Sequence, residues 1–272
     1  MKFRLALGAL MVLVLAAVAA TGVASAAPPN SFTCTGGTFT GDPSTSTFTS
    51  VPSGTYSSIT VTGVCNVVPG AVINVTGNID VAAGALFDAQ SRASTITVGH
   101  NVTAGAGSLL GLGCQLNTAH APHPCTIDGV PVDENSVITV NGNVSATDAF
   151  LVLLNGITVN GNVTLTGGGS GGNGGNDWAE KNNTIGGNLT ISDVTPDWLG
   201  VLFSNVGGNV NLSNITAQDP DDVSIGAAVS VFTNTVGKNL NCSNLGPRLT
   251  GGQSNSVGHK ATGQCVGMVT SA

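Results

Sequence analysis

Charge is scarce in this sequence. Charged residues make up 8% of the 272 positions, against roughly a quarter in an ordinary soluble domain. Glutamate occurs only at Glu134 and Glu180, aromatic residues are 4%, and tyrosine occurs once. A chain so poor in Glu, Lys and Arg lacks the residues that favour and solubilise helices. Low charge combined with 41% hydrophobic residues also excludes bulk disorder, which needs the opposite balance. The few basic residues form no patch able to neutralise a phosphate backbone or an anionic membrane surface, so nucleic acid is not an expected partner.

Glycine, threonine and asparagine are abundant instead, at 39, 31 and 26 residues. Threonine with valine favours strands, and glycine with asparagine favours turns. The composition is that of an all-β protein with many short strands.

The N-terminal residues read as a targeting segment. Lys2 and Arg4 precede an apolar stretch over residues 5–20, and Ala24-Ser25-Ala26 has the small-x-small form of a cleavage site. Residues 1–26 are therefore expected to be a secretory signal peptide rather than an anchor. No later stretch approaches the ~18 apolar residues of a spanning helix, so no stable membrane insertion is expected after cleavage. Residues 27–272 would then be secreted or associated with the cell envelope. They hold five bases against 14 acids, a formal charge of −9.

A repeated word runs through that segment. The copies are VTGNIDV (75–81), VGHNVTA (98–104), VNGNVSA (140–146), VNGNVTL (159–165), IGGNLTI (185–191), VGGNVNL (206–212) and VGKNLNC (236–242). They align on Asn78, Asn101, Asn143, Asn162, Asn188, Asn209 and Asn239. A β-branched residue stands three places before each Asn, an aliphatic residue follows it, and a small or apolar residue stands at the third place. VTGVCNV (61–67) reads as an eighth copy, with Val64 in the Asn position. The gaps of 23, 42, 19, 26, 21 and 30 residues fit a unit of about 19–23 residues, sometimes lengthened and once doubled. Period-2 apolar positions imply strands, and a unit of this size is one coil of a solenoid. The expected fold is a single-stranded β-solenoid, a right-handed parallel β-helix of about eight coils. Stacked asparagines would form a ladder of amide hydrogen bonds along it. A β-propeller would need longer blades, and a jelly roll would not repeat a word in register.

This reading makes residues 27–272 one domain. Residues 27–60 and 243–272 would be N- and C-terminal cap regions, and 111–136 and 167–183 loop insertions. Residues 195–200 and 217–222 are turn-rich excursions, and GGGSGGNGGN (167–176) reads as a flexible loop.

Six cysteines in an exported chain favour three disulfides, for which 15 pairings exist. Cys65 and Cys242 take apolar positions in the repeat frame near the two ends, and each has one nearby cysteine outside the repeat. The expected pairs are Cys34–Cys65, Cys114–Cys125 and Cys242–Cys265.

Candidate sites are few. His120 and His123 with Cys114 and Cys125 have zinc-ligand chemistry, but a disulfide would remove both thiols. His100 and His259 are isolated. Residues 171–177 approach a calcium-binding nonapeptide, yet only one copy is present. Asp219, Asp221 and Asp222 offer hard oxygens to calcium, although turn acids need no metal. No metal or other cofactor is expected. Short Thr-x-Thr words at 60–62, 95–97 and 164–166 suggest a flat ice-binding face, but in the sequence they do not fall in one register. Many parallel β-helices act on polysaccharides, which requires paired carboxylates or acids grouped with a base. Here Asp80 is the one carboxylate in the repeat frame, and no G-x-S-x-G marks a serine nucleophile.

Residues 52–67 (PSGTYSSITVTGVCNV), 234–247 (NTVGKNLNCSNLGP) and 254–265 (SNSVGHKATGQC) resemble a group of exported bacterial β-solenoid proteins of unknown function. The closing G-x-K-A-T-G-Q-C is the most specific part. That resemblance implies a secreted solenoid and carries no catalytic residues. A more distant likeness is to polymer-forming β-helical cytoskeletal proteins, which lack signal peptides and cysteines. The expected function is a secreted structural or binding protein without catalytic activity, whose partner is an extracellular molecule or glycan. The alternative is a polysaccharide lyase or glycosidase of the pectate-lyase-like kind.

Overall fold

Alternating β-branched and small polar residues make strands that bury every second side chain. In the computed structural model these strands are two to seven residues long and wind into a parallel β-helix. The structure describes residues 29–40, 45–116, 123–127, 130–169, 177–218, 229–247, 249–250 and 253–269; the signal-like segment lies outside them. Three sheets form the walls. Face 1 holds ten strands, from Phe32–Cys34 to Ala261–Gly263. Face 2 holds nine, from Thr49–Val51 to Leu249–Thr250, and face 3 holds nine, from Gly54–Tyr56 to Ser256–Val257. The chain visits faces 1, 2 and 3 in that order throughout. Nine complete coils and a tenth face-1 strand result, more than the eight expected, and at ~4.8 Å per coil they span roughly 43 Å.

The repeated word is a structural unit. It begins on the last residue of a face-3 strand, crosses a tight corner and runs along face 1. Val206, for example, ends Asn205–Val206, residues 207–209 turn, and Val210 opens Val210–Thr216. A Cβ on Gly207 would lie 2.6 Å from the Gly186 carbonyl oxygen in the coil before, so a side chain here would force the backbone to shift.

Several expectations need correction. Residues 61–67 straddle a different corner. Val61 ends a face-1 strand and Val64 opens a face-2 strand, so Val64 is not in the Asn position and Cys65 points inward from face 2. The gap of 42 residues is one coil, because Val102 pairs directly with Val144 and Ala104 with Ala146. Its extra residues leave after Leu112, form a small hairpin of Thr126–Ile127 with Val130–Pro131, and rejoin at Val137. Asp177–Lys181, assigned to the 167–183 loop, is a face-2 strand, and so is Trp198–Leu202. Regular strands also run through both expected cap regions, which lack the Asn word but keep the inward apolar pattern. The long excursions all border face 2, whereas two- or three-residue corners join face 3 to face 1.

The core is a set of apolar files. Val75, Ile79, Val98, Val102, Val140, Val144, Val159, Val163, Ile185, Leu189, Val206, Val210, Val236 and Leu240 are each 1% exposed or less. At the corners around face 2 the backbone enters the left-handed region. Asp148, Asp193, Asn214 and Asn244 serve one corner, and Asn182, Phe203 and Thr233 the other. Asn and Asp tolerate that conformation. Asn244 Nδ2 donates to Asn214 Oδ1 (3.1 Å), and Asn214 Nδ2 to Asp193 Oδ1 (2.9 Å).

Disulfides join Cys34 to Cys65, Cys114 to Cys125 and Cys242 to Cys265. The first links coil one to coil two across the interior. The last ties the turn after the final strand to face 1, and the middle one staples the insertion.

Two stability outcomes follow. Val163 is wholly buried between Val144 and Leu189 on face 1, so Val163→Asp is expected to cost about 3–5 kcal/mol as an unpaired buried charge. A thermal melt within 2 °C or so of wild type would contradict this register. Cys242–Cys265 closes 23 residues of separation and Cys114–Cys125 only 11. Cys242→Ser is expected to cost about 3 kcal/mol by loop entropy, to lower Tm more than Cys125→Ser, and to promote end-to-end association. Calorimetry and light scattering check both effects.

Candidate functional site

The recurrent asparagines line the tight corner and bond to one another. Each backbone N–H donates to the Oδ1 of the preceding rung, from Asn101 on Asn78 (3.0 Å) through Asn143, Asn162, Asn188 and Asn209 to Asn239 on Asn209 (3.2 Å). From Asn143 onward the side-chain Nδ2 reaches the same oxygen, closing to 2.9 Å at Asn239. These amides spend their capacity on the fold.

A second ladder, missed by the sequence reading, lies buried at the corner between faces 2 and 3. The Ile157 N–H donates to Asn183 Oδ1 (3.1 Å), the Ser204 N–H to Asn234 Oδ1 (3.0 Å) and the Asn234 N–H to Asn255 Oδ1 (3.0 Å). The Asn183 N–H donates to Ser204 Oγ (3.2 Å). The Nδ2 groups of Asn183, Asn234 and Asn255 reach the carbonyls of Leu154, Val201 and Val231. The ladder satisfies backbone groups where the left-handed residues break strand pairing. Its signal was available, since Asn183, Ser204 and Asn234 each stand five residues before a first-ladder Asn.

Outward side chains build two flat polar faces meeting at the tight corner. On face 3, strand register places Thr55, Asn74, Thr97, Thr139, Thr158, Thr184, Asn205, Thr235 and Ser256 in one unbroken file. All are exposed or half-exposed, and none of these side chains hydrogen-bonds to another protein group. Val72 and Val137, 61% and 58% exposed, flank the file. On face 1 a ten-rung file runs Thr33, Thr60, Asp80, Thr103, Ser145, Thr164, Thr190, Asn211, Asn241 and Thr262. A second face-1 file of Thr147, Thr166, Ser192, Ser213 and Ser243 runs beside it. Thr60 and Thr164 share a row, whereas Thr97 belongs to the adjoining face, so the three Thr words do not fall in one register, as the sequence indicated. Coil spacing and two-residue strand spacing make this a net of polar groups about 4.8 by 6.6 Å.

Face 2 differs. Its outer edge carries a shallow apolar groove of about 260 Å³ lined by Phe39, Val64, Leu86, Leu109 and Phe150, without the polar groups that orient a ligand. Burial and the Lys181 charge hold His123 below the usual imidazole range, against the pull of Asp88. Burial also lowers Lys181, opposed by Asp177. Inside the rod, Glu180 is fully buried between Leu154 and Val201, and neither carboxyl oxygen has a partner. Burial pushes it well above the usual carboxylate range.

The other sequence candidates are dispersed. Cys114 and Cys125 are bonded to each other, so neither thiol is open to a metal. His100 and His259 are exposed on tight corners, and Asp80 accepts the Thr103 hydroxyl (2.7 Å). His120, the glycine run at 171–176, Asp219, Asp221 and Asp222 lie outside the described residues. Among the described residues, no group of three or more His, Cys, Asp or Glu is placed to hold a metal, and no helix is long and apolar enough to cross a membrane.

These features define a disulfide-bonded parallel β-helix with two flat polar flanks. Comparison with protein-family models, curated proteins and solved structures gave no match.

Glu180 provides a pH test. A folded-state pKa raised above the unfolded value of about 4.3 contributes stability fully present below that value and lost as pH rises towards the folded pKa. Glu180→Gln is therefore expected to match wild type near pH 4 and to exceed its Tm increasingly as the pH is raised from there. Parallel melting curves at all pH values would show that Glu180 is not the buried neutral acid described.

Proposed function

We propose that this protein is exported and works outside the cell as a structural or binding element, presenting faces 1 and 3 to a repetitive partner such as a glycan surface. The observation that carries this reading is the face-3 file, whose nine hydroxyl and amide side chains have no protein partner. A single such hydrogen bond adds only about 1 kcal/mol, so useful affinity requires many rungs acting together. A straight file at constant spacing supplies that multiplicity to a flat, regular partner. The exposed valines beside it would meet the apolar faces of sugar rings. The signal-like N-terminus, the three disulfides and the resemblance to exported solenoids support the extracellular setting. The alternative, polysaccharide cleavage, would need acids across a scissile bond, whereas these files offer almost entirely hydroxyls and amides.

Retention on insoluble cellulose, chitin and peptidoglycan tests the proposal. Wild type is expected to be retained on at least one of them. A Thr139→Lys, Thr158→Lys, Thr184→Lys triple variant breaks the net and is expected to lose retention while each surface change moves stability by no more than about 0.5 kcal/mol. Equal retention of the variant, or no retention of wild type, would overturn the face assignment. Release of reducing ends by wild type would favour the enzyme.

A further inference from the structure

We infer, resting on the glycan-binding proposal, that the partner is a neutral, extended polysaccharide chain lying along the rod axis on face 3, with acidic glycans discriminated against.

Charge is distributed unevenly over the rod. The nine strands of face 3 contain no charged residue of either sign. The ten strands of face 1 contain one, Asp80. The described bases stand elsewhere. Lys181 is on face 2, Arg92 is at the corner between faces 2 and 3, and Lys238 and Lys260 are on the tight corner at the C-terminal end. Those two lysines border only the last two rungs of the face-3 file, Thr235 and Ser256. Residues 27–272 together hold five bases and 14 acids. A polyanion approaching face 3 therefore meets net repulsion from the molecule and no cation along most of the contact surface. A polycation finds no anion there to pair with. An uncharged chain rich in hydroxyls incurs neither penalty.

Face 3 rather than face 1 is the contact surface, because its hydrogen-bonding capacity is unspent. On face 1 the outward side chains bond to one another. The Thr103 hydroxyl donates to Asp80 Oδ1 (2.7 Å), Asn211 Nδ2 to Thr190 Oγ1 (3.4 Å), Asn241 Nδ2 to Asn211 Oδ1 (2.8 Å) and the Thr262 hydroxyl to Asn241 Oδ1 (2.7 Å). On face 3 no side chain of the file from Thr55 to Ser256 bonds to a protein group. Each of these hydroxyls and amides is exposed or half-exposed, so a ligand can reach it.

Register sets the direction. Along the rod the file offers one rung in every coil. Across the face, the four-residue strands of the second to fourth coils add a second outward file of Val72, Thr95 and Val137, in register with one another. The two-residue strands of the later coils do not extend that far. A chain laid across face 3 would meet one or two side chains, whereas a chain laid along it meets a new one at each coil. Single hydrogen bonds of this kind add little, and only the axial arrangement accumulates them on one ligand. Val72, Thr95 and Val137 are exposed and give the first half of the file a strip of methyl groups for the carbon-bound hydrogens of the sugar rings.

Titration calorimetry on the full chain with cello-oligosaccharides, N-acetylated chito-oligosaccharides and oligogalacturonates, each from disaccharide to hexasaccharide, tests the inference. At least one neutral series is expected to gain about tenfold or more in affinity from disaccharide to hexasaccharide. The galacturonate hexamer is expected to bind at least about tenfold more weakly than that neutral hexamer. Raising sodium chloride from about 0.05 to 0.5 M is expected to change the neutral affinity by less than about twofold. Thr158→Val keeps the β-branched shape, removes one face-3 hydroxyl and is expected to weaken the neutral hexamer about fivefold. Thr164→Val on face 1 is expected to weaken it less. A Thr97→Lys, Thr184→Lys double variant is expected to raise galacturonate affinity about tenfold or more. Equal affinity at all lengths would overturn the axial arrangement, and Thr164→Val weakening binding as much as Thr158→Val would overturn the choice of face 3. Tighter binding of the galacturonate series would overturn the neutral assignment and leave the glycan-binding proposal standing. Retention on insoluble polymers without binding of any oligosaccharide would overturn this inference alone, and the absence of both would overturn the two together.

Discussion

Each wall strand between the two ends of this rod pairs in parallel with its counterpart one coil before and one coil after, and that pairing constrains every other feature. Parallel pairing fixes both the coil spacing and the register. A residue's environment is therefore set by the residue at the same position in neighbouring coils. Interior positions become files of valine, leucine and isoleucine, and every tight corner from residue 76 onward carries at least one glycine where it rests on the carbonyl of the corner before. Extra residues can leave only where pairing is already interrupted. The described excursions accordingly start at the corners bordering face 2.

The same constraint explains how so much asparagine is accommodated. An amide carries both donor and acceptor, so identical amides stacked at coil spacing satisfy one another and the adjoining backbone. The exposed ladder from Asn78 to Asn239 and the buried one through Asn183, Asn234 and Asn255 both work this way. Single polar residues without a matching neighbour cannot. Glu180 sits between two apolar side chains, and Asn155 stacks on a lysine. These breaks in the periodicity are the places where polar capacity is left unmet.

Two kinds of surface follow. Faces 1 and 3 join through a tight corner and repeat without interruption, which gives breadth and regularity but little enclosure. Face 2 is bordered by the excursions, and beside it Asp88, His123 and Lys181 are near enough to influence one another electrostatically. A regular flank suits an extended partner met through many weak contacts.

The fold class was legible in the residues themselves. Scarce charge, abundant Thr, Asn and Gly, and a word recurring on Asn78 through Asn239 determine a parallel solenoid, because only stacked coils need one residue type at one corner so many times. The inward positions were readable for the same reason, since alternation in a strand ties burial to parity. Face 2 was not. Its strands, such as Leu151–Asn155 and Trp198–Leu202, are almost continuously apolar, so neither face shows a period, and the excursions around them shift the spacing from coil to coil. Whether the gap of 42 residues held one coil or two depended on Val102 meeting Val144, a pairing that no local pattern encodes. The pairing of Asn155 with Lys181 has the same origin. They are separated by 26 positions in the chain, and only winding at constant rise brings them onto one file.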